Sequence, residues 1–423
     1  MLEEFMIQGG RPLKGSVSIS GAKNSAIKLL SAILLTDQPV ILKNVPHVSD
    51  VQIMYQLLKT LGADIREKDG EVCVTISHIH NHLAHYDIVR KMRASIGVLG
   101  PLLARCQKAV VSLPGGCSIG LRPIDIHLDG LTKMGADITL KDGYVHAEGK
   151  LKGAIIHFKF PSMGATENIM MAATLAKGTT VIHNAACEPE IVDLANFLIK
   201  MGAKIHGQGT STIEIQGVET LSGTDYIVMS DRLEAATYAL AAFLTNGQIL
   251  LKNTDVHLLE QVQQCFKEMN VVSTQEGVMV SGNIDYQNPV HITTAPYPGL
   301  ATDLQPQIMT VLTQISGMSV ISEQLFENRF MHVPELNRMG AKIEVKGQSA
   351  YVYGKTELSG THVMASDLRG GAALVLAGLK AQKETVVKRV YHLDRGYARF
   401  VENLKACGAY IDRMPQQDVV NVG

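Results

Sequence analysis

A short motif recurs along the chain at nearly constant intervals, and this repetition limits the fold more than any other feature. The motif is an apolar residue followed by Gly, Ala, a variable residue and Ile, as in Leu61-Gly62-Ala63-Asp64-Ile65. Its glycines are Gly62, Gly135, Gly202, Gly340 and Gly408, and Asn270 takes their place in a degenerate copy. Successive copies are 73, 67, 68, 70 and 68 residues apart. Six copies of one structural unit therefore account for nearly the whole chain.

Each copy has the same order of predicted elements. Residues such as Val51, Met54 and Leu58 have helical spacing, and the motif glycine that follows suits the left-handed residue that ends a helix. A strand comes next, then a tight turn such as Asp142-Gly143, and then two further strands. A second helix completes the unit.

The second helices are small and apolar on nearly every face, which is typical of buried helices. They cover residues 26–35, 94–104, 169–176, 235–244, 308–315 and 372–379. A solenoid of stacked repeats would instead have amphipathic helices and polar ends. We therefore expect an α/β architecture with helices inside and strands toward solvent, in two lobes of three units each. The repeat count places one lobe near residues 23–229 and the other from residue 230 onward.

Composition excludes several kinds of partner and site. The net charge of −1 gives no reason to expect nucleic acid or an anionic membrane. No apolar stretch approaches the roughly 20 residues of a membrane span, and the acidic N-terminus has no signal-peptide core. The six cysteines form no C-x-x-C pair, so we expect neither disulfides nor zinc, and a reducing cytoplasm as the location.

Polar residues gather at the starts of the six apolar helices. They are Lys23-Asn24-Ser25, Arg93, residues 162–167, Asp231-Arg232, Thr302-Asp303 and residues 366–369. Helix capping explains the Ser, Thr and Asp members without any function. Capping does not explain the cations, which oppose the helix dipole. Cations and helix N-termini together bind anions, so we expect the six ends to meet in one cleft that takes a phosphorylated or carboxylated substrate.

A glycine-rich loop over residues 113–123 is the second candidate site. It contains Cys117, with Arg122 five residues later. An exposed cysteine in positive surroundings is typical of a reactive thiol. The alternative, an incidental loop cysteine, is our interpretation of the other five, which are Cys73, Cys106, Cys187, Cys265 and Cys407.

Several longer segments carry a resemblance to a known family. They are Gly21-Ala22-Lys23-Asn24-Ser25-Ala26, Met92-Arg93-Ala94-Ser95, residues 114–127, residues 326–336 and Asp394-Arg395-Gly396-Tyr397. Over essentially its whole length the chain resembles the enolpyruvyl transferases, specifically the UDP-N-acetylglucosamine 1-carboxyvinyltransferases. The resemblance implies an inside-out α/β barrel with two lobes of three βαβαββ units that close on substrate. Residues 1–22 would join 230–423 in the second lobe, and the active site would lie in the cleft.

The resemblance also implies a reaction. The enolpyruvyl group of phosphoenolpyruvate would pass to the 3′-hydroxyl of UDP-N-acetylglucosamine, with release of phosphate, in the first committed step of peptidoglycan synthesis. No metal or cofactor is implied, and we expect a monomer. Two alternatives remain open: a sister transferase acting on shikimate 3-phosphate, and a non-catalytic UDP-sugar-binding paralogue.

The site residues that the resemblance implies fall into four groups. The catalytic residues would be Cys117 as proton donor, Asp303 as base, Lys23 and Arg395. Phosphoenolpyruvate would contact Lys23, Asn24, Arg122 and Arg395. UDP-N-acetylglucosamine would contact Asn24, Arg93, Arg122, Pro123, Ile124, Asp125, Ile126, Ser162, Met163, Gly164, Asp303 and Leu325. Arg329, Asp367 and Arg369 would line the same cleft.

One position departs from the family pattern. Many members have a lysine two residues before the serine of the diphosphate-binding segment, where this chain has Phe160. Lys159 is one place too early, so we leave it out of the site. Backbone amides of residues 162–164 would then bind the diphosphate.

Overall fold

The structure is a computed structural model that describes residues 2–68, 70–113 and 124–416. Cys117, Arg122 and Pro123 lie outside these ranges. The described residues form two compact units. The inserted unit comprises residues 21–113 and 124–229, and the flanking unit comprises residues 2–20 and 230–416.

The elements are numbered along the chain. The flanking unit opens with β1 (Glu3–Gln8) and β2 (Lys14–Ser18). The inserted unit then contains α1 (Lys23–Ala32), β3 (Val40–Lys43), α2 (Ser49–Leu61), β4 (Asp64–Lys68), β5 (Glu71–Thr75), β6 (Leu83–Ala84), α3 (Tyr86–Val89), α4 (Leu99–Cys106), β7 (Lys108–Ser112), α5 (Asp125–Lys133), β8 (Asp137–Lys141), β9 (Tyr144–Glu148), β10 (Ile155–His157), α6 (Met163–Ala173), β11 (Thr179–His183), α7 (Pro189–Lys200), β12 (Lys204–His206), β13 (Thr212–Gln216) and β14 (Asp225–Ile227).

The flanking unit resumes after β14. Its remaining elements are α8 (Arg232–Leu244), β15 (Gln248–Lys252), α9 (Glu260–Cys265), β16 (Met269–Thr274), β17 (Gly277–Gly282), β18 (His291–Thr293), α10 (Gln305–Leu312), β19 (Gly317–Ser322), α11 (Val333–Arg338), β20 (Lys342–Lys346), β21 (Ser349–Gly354), β22 (His362–Met364), α12 (Leu368–Lys380), β23 (Glu384–Lys388), α13 (Phe400–Ala406) and β24 (Tyr410–Pro415).

Each of the six sheets formed by the described residues has four strands, one parallel pairing and two antiparallel ones. In the inserted unit the orders are β14-β3-β5-β4, β6-β7-β9-β8 and β10-β11-β13-β12. In the flanking unit they are β2-β15-β17-β16, β18-β19-β21-β20 and β22-β23-β1-β24. The first two strands therefore belong to the flanking unit, where β1 pairs with β23 and β24 and β2 pairs with β15.

The motif glycines end helices as predicted. Gly62, Gly135, Gly202, Gly340 and Gly408 all have positive φ, between 84° and 113°. A side chain is strained in this conformation, which explains why glycine recurs there. The degenerate copy behaves differently because Asn270 lies within β16, after α9 has already ended at Cys265.

The apolar second helices form the interior of each unit, which confirms the predicted inside-out α/β barrel. They are α1, α4, α6, α8, α10 and α12, and every residue of α8 and α10 is buried. The sheets cover them with one face, as the alternating burial of β13 shows, and turn the other face to solvent. Small residues allow close helix contacts: a Cβ on Gly100 of α4 would lie 2.3 Å from the carbonyl oxygen of Asn168 on α6.

No helix within the described ranges is both long enough and apolar enough to span a bilayer.

Candidate active site

Side chains at the helix starts have two different roles. Capping is correct for three of them: Ser162 accepts from the Ala165 amide, and Asp231 and Asp367 each accept from two amides of their own helices. The prediction that Thr302 and Ser366 cap their helices is wrong. The Thr302 hydroxyl donates to Glu323, and the Ser366 hydroxyl donates to Asp367.

Lys23 begins α1 and pairs with a buried carboxylate. Its Nζ lies 3.1 Å from Oδ2 of Asp50, on α2, and the side chains are 14% and 2% exposed respectively. Two residues on, the hydroxyl of Ser25 donates to Asp193 on α7. These contacts fix the first turn of α1, and they leave the ammonium as the more accessible member of its pair. Asn24 is half-buried at the same helix start.

A buried histidine, His127, packs against the start of α6. The pKa of His127 is lowered to about 3 by burial and then by the charges of Lys28 and Arg93, so its ring stays neutral. One ring nitrogen, Nδ1, lies 3.0 Å from the Asn168 amide nitrogen, and the other edge faces Gly164, where a Cβ would come within 3.2 Å of the ring. This packing holds the backbone of Met163 and Gly164. Sequence reasoning assigned His127 no role, although it ends one of the segments that carry the resemblance.

An ion pair inside the inserted unit joins α1 to α6. Lys28 Nζ lies 2.6 Å from Glu167 Oε2, with the side chains 12% and 1% exposed. Burial raises the pKa of Glu167, and the charge and hydrogen bond of Lys28 oppose that shift. The pair thus connects the helix that begins at Lys23 to the helix that begins after Ser162. Nothing in the sequence pattern pairs these two residues.

The remaining candidates of the inserted unit surround α5 and the segment before α6. Ile124 and Ile126 are half-buried, and Asp125 is exposed at the first residue of α5. Arg93 is half-buried at the start of the 3₁₀ turn that leads into α4. Phe160, which stands where the family pattern has lysine, is 46% exposed.

The flanking unit places a carboxylate between two guanidinium groups. Arg329 Nη2 donates to Asp303 Oδ1 at 2.9 Å, and Arg369 donates to Oδ2 from Nε and Nη2 at 3.2 Å. The arginine side chains are 3% and 5% exposed, whereas that of Asp303 is 28% exposed. Burial lowers the pKa of Arg369, but Asp303 and Tyr397 outweigh it and raise the pKa above its usual value. The carboxylate is therefore held by two buried cations and is the most exposed member of the group.

Asp367, Leu325 and Arg395 complete the candidates of this unit. Burial works to raise the pKa of Asp367, but the charge of Arg329 and hydrogen bonds from Gly370 and Ser366 lower it overall. Leu325 is half-buried, and its amide donates to Oε1 of Glu323 at 2.8 Å. Arg395 is half-buried at the end of a 3₁₀ turn that packs against α12.

Within each unit the structure therefore brings some predicted residues together. Lys23 and Asn24 share one helix start, and Arg93 acts on the histidine beneath Met163 and Gly164. Asp303 contacts Arg329 and Arg369 directly. Cys117, Arg122 and Pro123 lie outside the described residues. In the described part of the chain, no group of three or more His, Cys, Asp or Glu side chains could hold a metal ion.

Comparison with known proteins identifies the family. Residues 7–404 match the family model of EPSP synthase (3-phosphoshikimate 1-carboxyvinyltransferase), so the chain belongs to this family. Within it, the chain is 53% identical to the UDP-N-acetylglucosamine 1-carboxyvinyltransferase of Dinoroseobacter shibae, over 98% of this chain and 100% of that protein. It is 51% identical to the protein of the same name from Paracoccus denitrificans, over 98% and 99%. These findings confirm the resemblance that the sequence motifs indicate.

Solved structures share the fold. The enolpyruvyl transferase NikO from Streptomyces tendae has a TM-score of 0.88 at 24% identity, covering 99% of this chain and all of that one. EPSP synthase from Acinetobacter baumannii has a TM-score of 0.76 at 19% identity, covering 98% and 100%.

Proposed function

We propose that this protein transfers the enolpyruvyl group of phosphoenolpyruvate to the 3′-hydroxyl of UDP-N-acetylglucosamine and releases phosphate. The observation that carries the proposal is the 53% identity, over 98% of this chain and 100% of the relative, to a protein named for this activity. This reaction would be the first committed step of peptidoglycan synthesis, and it would take place in the cytoplasm with a monomeric enzyme.

Phosphoenolpyruvate would be held by Lys23, Asn24, Arg122 and Arg395. What supports Lys23 is its geometry: a buried carboxylate fixes the ammonium 3.1 Å away at the start of a helix, where the dipole also favours an anion. Asp50 offsets part of the positive charge of Lys23, and Arg122 and Arg395 would supply the remaining cations for the anion.

The reaction requires a proton at the methylene carbon of phosphoenolpyruvate and loss of a proton from the sugar hydroxyl. Cys117 would donate the first as the hydroxyl adds to C2. The resulting tetrahedral ketal would then lose phosphate together with one proton from its C3 methyl group, which restores the C=C bond of the enolpyruvyl group, with the cations stabilising the charge on its carboxylate and phosphate. The Cys117 thiol is also the group that could capture C2 covalently.

Asp303 would accept the proton of the sugar hydroxyl. Arg329 and Arg369 donate hydrogen bonds to its two oxygens. Transfer would accompany C–O bond formation, when the hydroxyl has become more acidic. Because each carboxylate oxygen is held by a different arginine, the group is oriented before substrate binds.

UDP-N-acetylglucosamine would extend over Arg93, residues 122–126, the start of α6 and Leu325. With Phe160 exposed in place of a lysine, the diphosphate would rely on the backbone amides of residues 162–164 at the start of α6, where the helix dipole favours an anion. Neutral His127 supports this turn from below and adds no repulsion to any cation there.

Phosphate release tests the proposal. The protein is mixed with phosphoenolpyruvate and either UDP-N-acetylglucosamine or shikimate 3-phosphate, with a no-acceptor control. We expect phosphate release only in the mixture whose acceptor is UDP-N-acetylglucosamine. Release with shikimate 3-phosphate alone would establish the sister activity, which the family model also names. Release with neither acceptor, together with calorimetric binding of the UDP-sugar, would establish a binding protein.

A further inference from the structure

A buried carboxylate next to the proposed acceptor site has no role in the mechanism above. Glu323 follows β19 and is 1% exposed. Its Oε1 accepts from the Thr294 hydroxyl at 3.0 Å and from the amides of Leu325 and Phe326 at 2.8 and 3.2 Å. Its Oε2 accepts from the Thr302 hydroxyl at 2.7 Å.

These four donors match a carboxylate and no other side chain of its size. Burying a carboxylate is unfavourable by several kcal/mol unless donors replace its hydration. Glutamine has the same shape, but only one of its two terminal atoms accepts hydrogen bonds. The amide nitrogen of a glutamine at position 323 would face either the Thr302 hydroxyl or the other three donors.

Three of the four donors lie on the two segments that carry the Asp303–Arg329 ion pair. Thr302 immediately precedes Asp303, and the amides of Leu325 and Phe326 begin the stretch that leads to Arg329. The Arg329 guanidinium also lies 6.0 Å from the centre of the Phe326 ring. The buried Glu323 carboxylate therefore connects the segment that carries Asp303, the proposed base, to the segment that leads to Arg329.

We infer that Glu323 is a positioning residue for the acceptor hydroxyl. Glu323 acts through Thr302 and Leu325. It fixes the Asp303 carboxylate relative to the Leu325 backbone, so that a sugar bound at Leu325 presents its hydroxyl to Asp303. This inference rests on the proposed function. Small misplacements of a reacting group reduce rates steeply, by up to about 100-fold for 1 Å.

Two threonines that donate to the same carboxylate provide a matched comparison. Thr302→Val removes the bond beside Asp303, whereas Thr294→Val removes a bond to the other carboxylate oxygen and also the acceptor of the Gln324 amide, at 3.1 Å. The control is therefore at least as disruptive to the fold. We expect kcat/KM for UDP-N-acetylglucosamine to fall by about tenfold or more in Thr302→Val and by less than about threefold in Thr294→Val.

Two further readouts separate positioning from general damage. Thr302→Ser keeps the hydroxyl and should restore most of the activity, and thermal unfolding should lower Tm as much in Thr294→Val as in Thr302→Val. Equal kinetic losses in the two valine variants, with an active wild type, would overturn the positioning role and leave the proposed function intact. A wild type that releases no phosphate with the UDP-sugar would overturn both.

Discussion

The Lys28–Glu167 pair makes a quantitative prediction about the stability of the inserted unit. At 2.6 Å, and with an effective dielectric constant of about 20, the attraction between the charges is about 6 kcal/mol. Desolvation of two ions opposes this by several kcal/mol each. The intact pair therefore contributes little net stability, but loss of one partner leaves the other charge buried. We expect Lys28→Met to lower the free energy of unfolding by about 3–5 kcal/mol.

The double variant is the informative one. Lys28→Met/Glu167→Met replaces the pair by apolar side chains, so most of the loss in either single variant should be recovered. Urea unfolding followed by far-UV circular dichroism gives the free energies of unfolding of the wild type, the two single variants and the double variant. Hydrogen exchange of the α6 amides assigns the transition to the inserted unit. Lys355 and Asp285 provide the control because their atoms are also 2.6 Å apart while their side chains are 49% and 44% exposed. Water screens that pair, so the same substitutions there should show much weaker coupling.

The pH dependence of the single variant adds a second check. Without Lys28, burial raises the pKa of Glu167 further above its unfolded value, because the opposing ion pair is gone. A carboxyl group whose folded pKa is raised loses its stabilisation as the pH rises above the unfolded value of about 4.3. Lys28→Met should therefore be less stable at pH 8 than at pH 5, relative to wild type. Strictly additive losses in the double variant, or a control pair coupled as strongly, would refute the reasoning.

Three further predictions concern the thiol and a second buried acid. Cys117→Ala should largely abolish phosphate release at neutral pH while calorimetry still detects UDP-N-acetylglucosamine, and normal turnover would remove Cys117 from its role as acid. The epoxide fosfomycin should add once to Cys117 in intact-mass and peptide-mapping spectra, and an adduct on another cysteine would contradict this. Burial raises the pKa of Glu234 to about 7, so its contribution to stability, about 3 kcal/mol, is present at low pH and lost as the pH rises through 7. Glu234→Gln should flatten the unfolding free energy between pH 5 and 8, and an unchanged slope would exclude Glu234 as its source.

The repeated motif predicts the fold well because each copy encodes its own local structure. Glycine at the helix end requires a positive φ, and an all-apolar helix requires burial, whatever surrounds it. The degenerate copy at Asn270 shows the limit of this reasoning. There the helix ends earlier, at Cys265, and the motif position becomes part of a strand.

The site was less predictable because its contacts join distant repeats. Lys28 and Glu167 are polar residues in helices that are otherwise buried on all sides, so periodicity cannot indicate which neighbour each one faces. His127 and Glu323 are similar: their partners depend on how helices and loops of one unit pack. The capping interpretation of Thr302 was wrong for this reason, since a neighbouring buried carboxylate competes successfully for its hydroxyl.

In both units a charged side chain at the start of an apolar helix pairs with a buried ion of opposite sign. The more exposed member of the pair is a cation in one unit and an anion in the other. In the inserted unit the carboxylate of Asp50 is buried and the ammonium of Lys23 is the more exposed partner. In the flanking unit Arg329 and Arg369 are buried and the half-buried carboxylate of Asp303 is the more exposed partner. Each buried partner fixes and partly offsets the charge of the more exposed one. A fixed cation suits an anionic donor substrate, and a fixed carboxylate suits a hydroxyl that must lose its proton. The proposed roles of Lys23 with an anion and of Asp303 with a hydroxyl would then follow from which member of each ion pair is buried.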